Sequence, residues 1–107
     1  MRSTNAPGVN YLPAFPVPHP GELLREEILP AAGLTPSEAA RRLGVSRQLL
    51  HCVLHGRHGI TAAMAWRLSA LFGNTPQHWL GMQLVYDLQQ SQKREAAAIR
   101  RIEPLGA

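Results

Sequence analysis

Thr35, Ser46, Thr61 and Thr75 each stand directly ahead of a stretch with helical apolar spacing, and Gly44, Gly56 and Gly73 close the first three of these stretches. A Ser or Thr hydroxyl at such a place accepts a hydrogen bond from an amide that the first helical turn leaves unpaired. Glycine just past the last turn takes the left-handed conformation that closes a helix. Pro36 and Pro76 occupy first helical positions, where the missing N–H is no loss, and Glu38 completes a capping box with Thr35. Punctuation this dense cuts residues 35–75 into short helices. Period-two alternation appears nowhere in the chain. The expected class is all-α.

The same chemistry extends to both sides. His19-Pro20-Gly21-Glu22 opens a first helix, with Pro20 as its first residue and Glu22 placing an acid in the first turn. Leu24 and Ile28 lie one turn apart on its inner face, with Leu23 and Leu29 beside them, and Pro30 and Gly33 are expected to end it. A longer fifth helix covers residues 75–103. Trp79, Leu80, Met82, Leu84, Val85 and Leu88 make it apolar around much of its circumference, which points to a second face buried in a partner. Trp66, Phe72 and Trp79 fall at helical spacing and are expected in the core rather than as base-stacking platforms. Upstream, Pro7, Gly8, Pro13, Pro16, Pro18 and Pro20 exclude regular helix from the first twenty residues. That segment is either a disordered extension or an extended arm docked in a groove.

The stretch Thr35 to Gly56, TPSEAARRLGVSRQLLHCVLHG, carries the chemistry. Two short helices flank Gly44-Val45-Ser46, and a glycine-containing turn lets them meet at a steep angle. Ala39 and Ala40 permit close approach, while Leu43, Val45, Leu50 and Val53 are spaced for a shared core. This is a helix-turn-helix pattern, in which the start of the second helix enters the DNA major groove. The outward residues there are Arg47, Gln48, His51 and Cys52. Arg47 can pair bidentately with guanine and Gln48 with adenine. Ser46 can offer its hydroxyl and nearby amides to a phosphate, with Arg57 as a second phosphate candidate and Arg41 and Arg42 near the groove edge. Residues 35–58 hold four arginines against one acid, a net of +3 out of +4 for all 107 residues. Concentrated charge of that kind suits DNA.

Each assignment has a plainer alternative. Arg41 and Arg42 also fit a solvated face, and Gln48 a capping role. His51, Cys52, His55 and His58 resemble a metal cluster, but Cys52 points about 100° away from His51 on a helix and His58 lies past a glycine. No metal and no cofactor is expected. The lone Cys52 excludes an internal disulfide framework. No nucleophile elbow, phosphate-binding glycine loop or fixed carboxylate pair is present, so an enzyme is not expected. No apolar run reaches the roughly eighteen residues of a transmembrane helix, and nothing after Arg2 reads as a secretory signal. A cytoplasmic protein without membrane contact is expected.

His19-Pro20-Gly21-Glu22, Leu24-Arg25-Glu26-Glu27, the helix-turn-helix, Gly59-Ile60-Thr61, Ala65-Trp66-Arg67-Leu68, Phe72-Gly73 and Pro76-Gln77-His78-Trp79-Leu80 together resemble the HigA antitoxins, members of the lambda-repressor-like (XRE) helix-turn-helix proteins. The resemblance covers about residues 18–90. It implies a five-helix domain that forms a homodimer, represses its own operon by binding operator DNA, and neutralises HigB, a RelE-like mRNA-cleaving toxin. By position it places Ser46, Arg47, Gln48 and His51 toward DNA and Leu50 and Val53 in the core. Where family members commonly carry polar residues, this chain has Leu49, His51, Cys52 and His55. The expected division is a proline-rich arm over 1–18, the DNA-binding domain over 19–90 and an extension over 91–107. The fifth helix is the expected dimer surface, through Leu80, Leu84, Val85 and Leu88. A stand-alone XRE-type repressor without a toxin partner is the alternative.

Overall fold

The computed structural model describes residues 12–106, and every helix in it begins at a side-chain cap or runs on from the helix before it. Helix α1 is continuous but made of three pieces: Pro20–Leu23, a wide π-helical turn over Leu24–Ile28, and Leu29–Ala32. It is followed by α2 (Pro36–Leu43), α3 (Arg47–Leu54), α4 (Ala62–Phe72) and α5 (Pro76–Arg100). Among the described residues there is no strand.

Pro30 does not end α1, contrary to the expectation from sequence. The chain passes through it and stops at Gly33, whose φ is 71°. The π turn explains how. Leu29 donates its N–H five residues back, to Leu24 O, and the widened turn gives the proline ring room against the preceding carbonyls.

The core forms where the five helices converge. Leu24 and Leu29 of α1 meet Ala39, Ala40 and Leu43 of α2, Leu50, Val53 and Leu54 of α3, Met64, Ala65 and Leu68 of α4, and Trp79 of α5. Each large aliphatic side chain buried there contributes about 1.5–3 kcal/mol. Trp79 is 1% exposed and donates its indole N–H to Asn74 Oδ1 at 2.8 Å, so its one polar group is satisfied. Phe72 packs beside it, half-buried, with ring centroids 6.0 Å apart. Trp66 departs from the expectation, since it stands 66% exposed on the outer side of α4. Helical spacing sets the period of a face, not which face a neighbour covers.

Helix α5 runs through the polar stretch 89–94 without interruption. At 1.5 Å per residue its 25 residues reach roughly 37 Å, about two thirds of the 54 Å long axis of the molecule. The described part of the N-terminal segment docks on it. The buried Gln89 carboxamide accepts from Val17 N–H at 2.9 Å and donates to Phe15 O at 2.8 Å and Pro13 O at 3.2 Å. Of the two readings of the arm, residues 13–17 follow the docked one. Residues 1–11 lie outside the described residues.

Candidate nucleic-acid interface

The geometry of the interface starts at the end of α2. Thr35 Oγ1 accepts from Glu38 N–H at 3.1 Å, and Glu38 Oε1 accepts from Thr35 N–H at 3.0 Å. These backbone and hydroxyl bonds hold the Glu38 carboxyl below the ordinary carboxylate range. At the other end Gly44 takes φ 73°, a conformation that a side chain would strain. Val45 N–H then reaches back to Ala40 O at 3.0 Å, and the chain turns directly into α3. Ala39 and Ala40 are fully buried at the crossing of α2 and α3. Arg67, from α4, donates to Leu43 O at 2.8 Å, placing a cation on the carbonyl end of α2.

Helix α3 begins with Ser46 Oγ accepting from Leu49 N–H at 3.0 Å. Leu50, Val53 and Leu54 face the core, while Arg47, Gln48 and His51 are exposed. These three, with Arg25, Ser37 and His55, line a concavity of about 450 Å³ between α1, the start of α2 and α3. Arg47 Nη1 lies 3.5 Å from Ser37 Oγ. Ser46 and Arg57 are exposed, on either side of this helix. Arg42 is exposed but lines a different concavity, with Leu43, Arg67, Ala70 and Leu71. Cys52 is only half-exposed and outside the concavity that holds Arg47. Leu49 is 38% exposed.

The far end of α3 is clamped by groups with no assigned role in the sequence reading. Arg25 Nη1 donates to Leu54 O at 3.1 Å and lies 3.0 Å from His55 Nδ1. A guanidinium can only donate, so His55 Nδ1 is the acceptor and carries no proton. Partial loss of water, then the positive charges of His51, Arg25 and Arg57, hold the His55 imidazole below its ordinary value. The His51 and His55 rings pack against each other at a tilt of 44°, with centroids 4.3 Å apart. Gly21 of α1 lies against Val53 O so closely that a Cβ there would sit 1.8 Å from that oxygen. His19 Nδ1 caps α1 by accepting from Gly21 N–H at 2.9 Å. The His-Pro-Gly-Glu opening thus supplies a cap, a first helical residue, a close approach and a first-turn acid, one per position. Arg25 and Arg67 were legible only as surface charge, because their partners lie 29 and 24 residues away.

On the fifth helix, Leu84 is 57% and Leu88 40% exposed, and Leu80 is half-buried against the core. Val85 turns toward a separate groove of about 480 Å³ shared with Val17, Pro18, Leu23 and Met82. No helix of the described residues is long and apolar enough to cross a membrane.

Five helices, a glycine-turned α2–α3 pair and an exposed polar face on α3 define a helix-turn-helix protein of the lambda-repressor-like class. No family model matches the chain. It is 41% identical over 98 residues to virulence-associated protein I of Dichelobacter nodosus, spanning 92% of this chain and 87% of that one. It is 34% identical over 85 residues to antitoxin HigA-1 of Vibrio cholerae, spanning 79% of this chain and 80% of that one. The solved structure of Pseudomonas aeruginosa antitoxin HigA with the higBA promoter superposes with a TM-score of 0.79 at 36% identity, covering 85% of this chain and 99% of that one. The chain belongs to the HigA antitoxin family.

Proposed function

We propose that this chain is the antitoxin of a type II toxin–antitoxin pair. It neutralises a HigB- or RelE-like mRNA-cleaving toxin and represses its own operon as a cytoplasmic homodimer on operator DNA. The observation that carries the DNA half is the exposed set Arg47, Gln48 and His51 at the start of α3, gathered beside Arg25. In this reading Arg47 grips a guanine edge, Gln48 an adenine edge, and His51 the next base along the groove. The start of α3 at Ser46 meets a phosphate, with Arg57 and Arg42 on neighbouring phosphates and Cys52 at the margin. Leu80, Leu84 and Leu88 recur every four residues along α5 and meet a second copy, with Val85 at the edge of that contact. Two α3 helices then lie about 34 Å apart, one turn of DNA.

In this reading the chain acts by binding DNA and protein and catalyses no reaction. Its relatives include an antitoxin and an HTH-type transcriptional regulator, which fits that reading. The toxin half rests on membership of the antitoxin family. Its test is co-expression with a HigB-like toxin of the same genome, whose expression alone arrests growth. Restored growth and co-purification of the two support the antitoxin reading. Growth arrest that persists with both proteins present overturns it and leaves a repressor without a toxin partner.

A further inference from the structure

We infer that Gln83 is a positioning residue for DNA binding, holding the loop after the recognition helix in register with the dimer helix. The inference rests on the DNA-binding reading above. Gln83 belongs to α5, is 7% exposed, and is bonded at both ends of its carboxamide. Its oxygen accepts from Ile60 N–H at 2.7 Å, and its nitrogen donates to Asp87 Oδ1 at 2.9 Å. Ile60 anchors the loop between α3 and α4 and is itself 4% exposed. Gly59 lies against the same carboxamide, where a Cβ would sit 3.1 Å from Gln83 Cδ.

That loop carries the exposed Arg57 and His58. On its α3 side, Arg57 and His58 donate their amides to Cys52 O at 2.8 and 3.2 Å. The loop is therefore pinned at one end to the recognition helix and at the other to Gln83. Gln83 and Leu84 are successive residues, about 100° apart around α5. One flank of this helix presents Leu84 and Leu88 outward, and the adjoining flank grips the loop. Asp87 keeps the carboxamide from rotating, so that its oxygen faces Ile60. Gln83 acts through the loop and needs no contact with DNA.

The test is a double-mutant cycle read by fluorescence-anisotropy titration of a labelled duplex from upstream of the gene. Arg57→Ala removes one phosphate contact and lowers the salt slope by about 0.9. Gln83→Ala is expected to weaken binding about tenfold and lower the slope by a similar amount, because a misplaced loop forfeits that contact. Combining the two should then add little, although the two side chains do not touch. Additive losses, or unchanged affinity in a folded Gln83→Ala, overturn the inference. If Gln83→Ala does not fold, the isosteric Gln83→Glu decides. Its carboxylate still accepts from Ile60 but faces Asp87, near His19, and protonation restores the donor. Its affinity relative to wild type should recover as the pH is lowered, and a flat ratio overturns the inference. If the wild type fails to prefer its upstream DNA, the DNA reading falls and this inference with it. Preference by the wild type with an additive cycle rejects this inference alone.

Discussion

Replacing Gly21 with alanine tests how α1 locks the recognition helix in place. The added Cβ would sit 1.8 Å from Val53 O and 2.8 Å from Val53 C. Carbon and carbonyl oxygen normally approach no closer than about 3.3 Å, so roughly 1.5 Å of separation is required. The obstacle is backbone, not the end of a flexible side chain. Val53 is 1% exposed, and its carbonyl already accepts from Gly56 N–H at 3.1 Å. The two helices must therefore part, which strains the Arg25–Leu54 bond and the packing of His19 around Gly56. Overpacking of this kind costs about 1–3 kcal/mol, and the better helix propensity of alanine returns at most about 1 kcal/mol. A net loss near 1.5 kcal/mol lowers the melting midpoint by about 6–12 °C. The control is Gly81→Ala on α5, where a Cβ would meet nothing within 4 Å. That variant should gain about 0.5–1 kcal/mol. Thermal unfolding followed by circular dichroism reads both. Equal midpoints for the two variants, or a stabilised Gly21→Ala, would mean that α1 and α3 are not in backbone contact at Gly21.

Further predictions follow the same contacts. Arg47→Ala should cost about 1–3 kcal/mol of operator affinity and relax preference at one base position, as read by titration against a panel of single-base variants; uniform weakening across the panel would reassign Arg47 to a phosphate. Leu84→Glu should shift the chain toward monomer in sedimentation velocity, and an unchanged sedimentation coefficient would move the dimer surface elsewhere. Ser46→Ala removes the α3 cap and should cost about 0.5–2 kcal/mol in urea unfolding. His19 is held below its ordinary value by burial, opposed by Asp87 and Glu22. The unfolded chain therefore takes up its proton first as pH falls, and the stability that His19 contributes above its unfolded value is lost as pH drops through the folded one. His19→Asn keeps a capping acceptor and should flatten that part of the stability profile.

What was legible in the sequence was local. Caps at Thr35, Ser46, Thr61 and Thr75 and stops at Gly44 and Gly73 depend on neighbours within four residues, and each is where its chemistry implied. The inward face of α3 was legible too, because Leu50 and Val53 share one side of a helix. The polar side chains that bind elements together were not. Arg67, Gln83 and Gln89 have long hydrophilic side chains that read as surface, and their partners lie 24, 23 and 72 residues away. Pro30 read as a terminator because the π turn that accommodates it leaves no mark in composition. Trp66 read as core because apolar spacing alone does not say which flank of α4 is covered. The fold was therefore readable from its punctuation, whereas the bonds that hold α3 and its exposed polar face in place emerge only in three dimensions.

The face carrying Arg47, Gln48 and His51 is expected to select a DNA sequence. A mobility-shift titration of the DNA upstream of the gene against a random duplex, at two salt concentrations, tests it most directly. A complex on the upstream DNA is expected to survive the higher salt, with random DNA released, since non-specific binding is almost wholly electrostatic. Weak binding, equal on both duplexes and lost together at the higher salt, would contradict it.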